Sequence, residues 1–193
     1  MPSRLRVQEQ KSGLKDEYMK ILLAMLFLVS STLAQDKPAL AKALAACGPS
    51  DVLFQVKTHT NGPPVATPET GKALVYLFEE QLGPCLFCTP TTRVGLDGKW
   101  VGANHGSSFF FFSVEPGMHH LCTDWQDDTG DNTGIAALAS FTAEPGKTYY
   151  FRGQIWRGSD YFWGLNLAPV DPDEGQLFIA EEWFKFSTSQ VMR

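Results

Sequence analysis

The pattern that most constrains this chain is a series of short strand-like segments, separated by turn signals about every ten residues. Asp97-Gly98 is typical of a two-residue hairpin, and Glu115-Pro116-Gly117 recurs as Glu144-Pro145-Gly146. Pro fixes φ and Gly accepts a positive φ, which suits the centre of a type II turn, so we interpret both copies as one hairpin solution used twice. The pattern predicts a β-sandwich. The sequence contains no glycine-rich phosphate-binding motif, which argues against a nucleotide-binding α/β fold.

Strand-like segments occur at Asp51–Thr58, Lys72–Phe78, Thr91–Leu96, from Trp100, Ser107–Val114, Met118–Trp125, Ile135–Ala143, Thr148–Ile155 and, as the last long strand, Tyr161–Leu167. Phe109–Phe112 places Phe on both faces of one strand, which predicts that both faces are covered. Lys37–Ala46 predicts a short N-terminal helix, and Asp171–Glu182 is either a short helix or a further strand. We therefore predict an all-β fold, a single antiparallel β-sandwich of about seven to eight strands, with these short helices at its ends.

The N-terminal region has the order of a secretory leader. An apolar run, Ile21–Ala34, follows Lys20 and ends in the small-x-small sequence Thr32-Leu33-Ala34. The run is shorter than the roughly 20 apolar residues that a membrane-spanning helix needs. We therefore predict signal cleavage after Ala34 and a mature chain without a transmembrane helix.

This interpretation divides the chain into three parts. Residues 1–34 form the signal peptide, with Met19 as an alternative start, 35–50 form the short helix and a linker, and 51–193 form the sandwich. The expected location is periplasmic or extracellular.

A competing signal surrounds Cys47. Leu44-Ala45-Ala46-Cys47-Gly48 is similar to a lipoprotein processing box, which would give a lipid-anchored outer-membrane form through Cys47. Asp36 and Lys42 separate it from the apolar run, whereas a lipobox closes that run directly. The alternative is that these residues end the short helix.

The charge balance excludes one class of partner. The chain has 16 Lys and Arg against 21 Asp and Glu, a net charge of −5, and loss of residues 1–34 makes it −7. Nucleic-acid binders normally present a basic face that neutralises phosphates. We therefore expect no nucleic-acid partner.

Several of these turns and strands resemble a known family. Gly71–Phe78, Val94–Gly102, Phe111–His119 and Ala143–Phe151 are similar to segments of the exported bacterial family called domain of unknown function 2846, with a turn pattern shared by PEGA-type sandwich repeats. The resemblance covers roughly Gly71–Leu167. It implies an envelope-associated, non-enzymatic domain without a known ligand, and it places His119 at a structural turn where its imidazole bonds a backbone carbonyl.

Four cysteines in an exported chain predict disulfides. Cys47, Cys85, Cys88 and Cys122 allow three pairings, and the sequence does not choose among them. We favour Cys85–Cys88 as a local clip and Cys47–Cys122 as a long tie to the sheet.

The same residues offer a rival, a small metal or redox protein. Cys85-x-x-Cys88 has the spacing of a metal-binding cysteine pair. His120 and Cys122 lie on one face of a predicted strand and could supply two more ligands. An oxidising compartment favours disulfides over metal, so we expect no metal and no cofactor.

The aromatic residues give the best indication of binding. Trp156, Tyr161 and Trp163 surround one predicted turn, where amphipathic rings can stack on sugars or contact a protein. The alternative is that they fill the core and protect sheet edges.

No catalytic motif is present: the chain has no G-x-S-x-G elbow, H-E-x-x-H helix or S-x-x-K box. We therefore expect a non-catalytic interaction domain, exported or envelope-associated, whose partner is an unidentified envelope protein or glycan. A carbohydrate-binding module using the Trp156–Trp163 turn is the first alternative, and the metal or redox protein is the second.

Overall fold

The computed structural model describes residues 44–60, 65–81, 90–126, 135–157, 163–180 and 184–192. Ala43–Arg193 is one compact unit. The described residues of this unit form ten strands and one longer helix. The strands are β1 (Phe54–His59), β2 (Ala73–Gln81), β3 (Thr91–Leu96), β4 (Lys99–His105), β5 (Ser108–Val114), β6 (Gly117–Gln126), β7 (Ala136–Ala143), β8 (Thr148–Arg157), β9 (Trp163–Pro169) and β10 (Lys185–Val191), and the helix is α1 (Pro172–Ala180).

The strands form two sheets. A six-stranded sheet has the order β1-β10-β5-β2-β8-β9, and a four-stranded sheet has the order β4-β3-β6-β7. The prediction of an all-β fold is confirmed in this form. The antiparallel prediction is wrong, because β2 pairs parallel with β8 and β10 pairs parallel with β5. β2 and β8 are distant in the chain, because all four strands of the second sheet, β3, β4, β6 and β7, lie between them in the sequence.

The inner faces of the two sheets enclose one apolar core. Alternate residues of β2 point inward, since successive side chains of a strand point to opposite faces. The buried members of this core are Ala73, Val75, Leu77, Val94, Phe110, Val114, Leu121, Ala143, Phe151 and Leu167.

A second apolar layer covers the opposite face of the six-stranded sheet. Phe109 belongs to this layer while Phe110 belongs to the inner core, so the prediction that their strand is covered on both faces is confirmed. The covering side chains include Phe178 of α1 and Phe184, which meet the Phe78 ring edge-on. A Cβ on Gly175 would lie 2.4 Å from the Tyr150 ring, so the glycine permits this close helix–sheet contact.

The helix begins where Asp171-Pro172 predicts a start. Asp171 Oδ1 accepts a hydrogen bond from the Asp173 N–H at 2.9 Å, which satisfies a donor of the first turn. Of the two alternatives for Asp171–Glu182, the helix is therefore the one that forms.

The predicted turns differ in their outcome. Asp97 and Gly98 have φ of 50° and 85° and join β3 to β4, which confirms the hairpin. The hairpin interpretation of the two Glu-Pro-Gly turns is wrong. Glu115–Gly117 carries the chain from the six-stranded sheet to the four-stranded sheet, and Glu144–Gly146 carries it back.

The strand count of seven to eight was too low, and Tyr161–Leu167 is not the last strand. β10 follows the helix and lies between β1 and β5. Its sequence, Lys-Phe-Ser-Thr-Ser-Gln-Val, has little apolar character. The strand can nevertheless be buried at Ser187, because that hydroxyl bonds Asn104 and the Phe109 carbonyl.

Some expectations lie outside the described residues. These are the leader with Ala34, most of the Lys37–Ala46 helix, Cys85, Cys88 and Tyr161. Trp163 lies in β9 with its backbone opposite Arg157, and its side chain is outside the description.

Candidate functional site

The long disulfide forms as favoured. Cys47 and Cys122 are bonded, with their Cα atoms 5.1 Å apart. This bond is incompatible with the lipid-anchored form, because lipidation of Cys47 needs its free thiol. Cys122 is likewise unavailable as a ligand of the four-residue metal set, and no group of three metal-ligating side chains occurs among the described residues.

Residues 44–54, here called the N-terminal segment, lie on the outer face of the four-stranded sheet. The Ala46 carbonyl accepts a hydrogen bond from the Gly98 N–H at 3.0 Å, and the Pro49 carbonyl accepts one from Trp100 Nε1 at 2.7 Å. At the far end of the segment, the Gln126 amide bonds both the N–H and the carbonyl of Phe54, at 2.7 and 2.9 Å. The segment is thus held at both ends as well as by the disulfide.

A buried arginine holds the middle of this segment. Arg93 Nη1 donates to the carbonyls of Ser50 and Val52 at 2.9 and 2.8 Å, while Nη2 donates to the Asp124 carboxylate. The guanidinium lies 4.6 Å from the centre of the Trp100 ring. Burial raises the pKa of Asp124, and the charge of Arg93 only partly offsets that effect. The Arg93–Asp124 pair is almost fully buried, so its role is structural.

A second charged cluster joins two turns. His119 Nδ1 lies 2.6 Å from Asp97 Oδ2, and its Nε2 lies 2.7 Å from the Glu115 carbonyl oxygen. Burial opposes a charge on His119, but these two hydrogen bonds raise its pKa above the usual 6.5. The resemblance placed His119 at a structural turn bonded to a backbone carbonyl, and that expectation is confirmed.

The inner face contains a carboxyl group that has no hydrogen-bond partner in the described part of the chain. Glu79 follows Ala73, Val75 and Leu77 in the inward positions of β2 and is 1% exposed. Neither of its carboxyl oxygens has a hydrogen-bond partner among the described residues. Burial raises the pKa of Glu79 well above its usual value of 4.5, which favours the neutral acid.

Further polar groups surround Glu79. Its strand neighbours are Ser108 and Gly153, and a Cβ on Gly153 would lie 4.0 Å from the Thr123 methyl group. The Thr92 and Thr123 hydroxyls are also buried, and none of the described residues bonds them. Buried polar groups are normally paired with protein or with ordered water, so this end of the interior is suited to internal water.

Asn104 connects the two sheets beside these groups. Its side chain donates to the Leu77 carbonyl at 3.1 Å and accepts from the hydroxyls of Ser187 and Ser108, at 2.6 and 3.3 Å. The sandwich interior is therefore apolar at one end and polar at the other.

Of the three residues of the predicted aromatic surface, the structure describes the side chain of Trp156. Its side chain is 42% exposed on the outer face of the six-stranded sheet, beyond the area that α1 covers. The indole lies against Gly164 of β9, where a Cβ would be 2.3 Å from ring atoms. Gly164 therefore leaves room for the exposed aromatic ring to lie against the sheet.

Polar side chains adjoin this ring. Gln154 donates to Glu80 Oε2 at 2.8 Å and lies opposite Asn166, which is exposed. Arg152 lies between Glu80 and Glu174, at 3.8 and 3.3 Å. We call Trp156, Gln154, Asn166 and Glu80 the Trp156 surface.

Sequence reasoning missed Glu79, Arg93 and Asn104 as parts of polar sites. The signal for Glu79 was its alternation with Ala73, Val75 and Leu77, which places it on the inward face. No comparable local signal identifies Arg93, because its partners come from the distant N-terminal segment.

No helix in the described parts of the chain is long and apolar enough to cross a membrane. No protein-family model matches the chain. An uncharacterized protein from Haemophilus influenzae is 23% identical over 142 residues, which cover 73% of this chain and 77% of that protein. An NMR structure of a protein from Eubacterium rectale aligns with 53% of this chain and 92% of its own, at 10% identity and a TM-score of 0.35, which is too low to support an argument.

Proposed function

We propose that this protein is an exported, non-catalytic interaction domain of the cell envelope or extracellular space, and that the Trp156 surface is its contact site. The observation that carries the proposal is the exposed Trp156 ring, fixed on a sheet face that Phe178 of α1 and Phe184 cover in part. Tryptophan at a protein surface supplies a large contact area and a polar N–H, and it is enriched at binding sites.

Two features support export. The leader-like sequence ends at Ala34, and the Cys47–Cys122 bond suits an oxidising compartment. Expression of the full chain in a bacterium tests this part of the proposal. We expect the protein in the periplasm or medium, with mass spectrometry giving Gln35 as its first residue. Retention of an uncleaved chain in the cytoplasm would contradict export.

The contact site is tested with isolated cell envelopes. We expect the wild-type protein to sediment with envelope fragments, and Trp156→Ala to reduce the bound fraction about tenfold, as for loss of a central aromatic contact. Met118→Ala is the matched control, since Met118 is 68% exposed on the other sheet. Equal binding by wild type and Trp156→Ala would show that the surface is not the site.

Carbohydrate is the second candidate ligand, because the amides of Gln154 and Asn166 lie on the same face as the Trp156 ring. An indole stacks on the C–H face of a sugar while neighbouring amides bond its hydroxyls. Binding to soluble fragments of digested peptidoglycan, or to a glycan array, tests this candidate.

Two variants separate the presence of the ring from its position. Trp156→Ala removes the ring, whereas Gly164→Ala displaces it, because the new Cβ would overlap the indole. A sugar ligand requires both variants to bind weakly and Met118→Ala to bind normally. Sugar binding unaffected by either variant would exclude this site.

A further inference from the structure

Four strands lie at the edges of the two sheets: β1, β9, β4 and β7. Exposed edges invite pairing with other chains, and proteins block them with charges, prolines or covering groups. Three edges carry such features. β1 contains the exposed Lys57, β9 ends in Pro169, and the Ala103 N–H of β4 donates to the Ser189 hydroxyl of β10 at 3.0 Å.

The fourth edge, β7, lies close to β9 of the facing sheet, but it has neither a charge nor a proline to block pairing. Ala136–Ala143 contains no charge and no proline, and it pairs with β6 in an unbroken register from Gly117 to Asp124. No strand pairs with its other side among the described residues. An uncharged edge of this length, without a bulge in its register, is one to which a further strand can be added.

The register identifies the groups on the free side. The Trp125 N–H donates to the Ile135 carbonyl, so these two residues form a hydrogen-bonded pair. Hydrogen-bonded and non-hydrogen-bonded pairs alternate along an antiparallel ladder, so every second residue of β7 from Ile135 bonds β6. Along β7, Ala137, Ala139 and Phe141 therefore bond β6. The residues whose N–H and carbonyl point away from β6 are Ala136, Leu138, Ser140 and Thr142. The last three are also exposed.

We propose that β7 pairs antiparallel with β7 of a second copy of this chain, about a two-fold axis at Ser140, so that two four-stranded sheets become one. Ser140 then bonds Ser140 of the second copy, and Leu138 of one copy lies beside Thr142 of the other. A two-fold interface requires one self-complementary patch on both chains, and an uncharged antiparallel edge meets that requirement.

Charge favours a second copy at this edge. The chain has a net charge of −5, yet the nine residues 135–143 carry none, so two copies can approach here without local repulsion. The next residue, Glu144, is paired with Lys147 at 2.9 Å.

Sedimentation equilibrium of the full chain tests the proposal, with two proline variants. Ser140→Pro removes an outward N–H and leaves the β6 bonds intact, so we expect a folded monomer whose thermal midpoint falls only by the stabilisation that dimerisation provides. Ala139→Pro is the matched control. It removes a bond to β6, so we expect a clear loss of stability. Because either proline can disturb folding, Leu138→Lys provides a third variant that places a charge on each side of the axis, and we expect it to be monomeric.

We expect a wild-type dimer whose dissociation constant rises at least tenfold in Ser140→Pro and Leu138→Lys. A wild-type chain that stays monomeric at its solubility limit would overturn the proposal, and a strand from a different protein would then be the remaining occupant. A dimer that persists unchanged in a folded Leu138→Lys variant would overturn it as well.

Discussion

His119 Nδ1 and Asp97 Oδ2 lie 2.6 Å apart, and through this hydrogen bond His119 holds the β3–β4 hairpin against the Glu115–Gly117 turn. Both ring nitrogens face acceptors, the carboxylate of Asp97 and the carbonyl of Glu115. The geometry therefore requires a proton on each nitrogen, which makes His119 an imidazolium.

This cation predicts a pH-dependent stability. The folded-state pKa of His119 is raised above 6.5, so its contribution is complete below pH 6.5 and is lost as pH rises through the folded-state pKa. The pKa of Asp97 is lowered from 3.8, since the hydrogen bonds from His119 and His120 outweigh burial, so its contribution is lost only as pH falls through that lowered value. We expect His119→Gln to reduce the free energy of unfolding at pH 5.5 by about 1 kcal/mol, because Asp97 is partly exposed.

Urea unfolding at pH 5.5 and pH 8.5 measures this effect. His120→Gln is the matched control, since its side chain is exposed on the adjacent position. If His119→Gln and wild type differ equally at both pH values, the imidazolium does not stabilise the two turns.

The Cys47–Cys122 bond predicts a large effect on unfolding. It closes a loop over a sequence separation of 75 residues, for which chain entropy gives a stabilisation of about 4 kcal/mol. We expect the double variant Cys47→Ala, Cys122→Ala to lose about that amount in urea unfolding. Cys85→Ser with Cys88→Ser is the control for the other cysteines. An unchanged midpoint in the first variant would show that the bond does not form.

Local patterns predicted local structure well. Asp97-Gly98 identified its hairpin because both residues accept positive φ, and Phe109–Phe112 identified a strand buried on both faces. The role of His119 came from the family resemblance, and its Asp97 partner, 22 residues away, was not predicted. The hairpin and the strand were predictable because their sequence signals lie within a few residues.

Long-range pairing was not predictable in the same way. The parallel β2–β8 pair depends on which sheet each strand joins, and the residues of those strands do not encode this order. β10 was missed because hydrogen bonds from Ser187 to Asn104 and Phe109 replace the apolar contacts that a pattern detects. Of the candidate site, Trp156 was predicted, but its support by Gly164 depends on a neighbouring strand.

The Arg93–Asp124 ion pair predicts the cost of removing one buried charge. Asp124→Ala leaves the Arg93 guanidinium buried without its carboxylate, so we expect the free energy of unfolding to fall by about 3 kcal/mol. Glu174→Ala is the control, because the Arg152–Glu174 pair is partly exposed and its loss costs less than about 1 kcal/mol. Chemical denaturation of both variants gives the comparison. Equal losses would contradict a special role for the buried pair.

Replacing Glu79 has the opposite effect on the free energy of unfolding, because we expect it to stabilise the protein. Its folded-state pKa is raised well above 4.5, so the folded chain holds a proton that the unfolded chain releases. Stability then falls by about 1.4 kcal/mol per pH unit as pH rises above 4.5, until the folded carboxyl ionises. Glu79→Gln keeps the shape and removes this slope, so we expect it to be more stable than wild type at pH 7.5 and similar to it at pH 4.

Two further variants complete the test of Glu79. Glu80→Gln changes the adjacent carboxyl on the outer face, which bonds Gln154, and we expect it to retain the slope of wild type. Glu79→Leu removes the unpaired polar group altogether, so we expect it to lack the slope and to be at least as stable as Glu79→Gln at pH 7.5. Equal pH dependence in wild type and Glu79→Gln would place the Glu79 carboxyl in contact with water or a cation, since only a solvated or paired carboxylate ionises at its ordinary pKa.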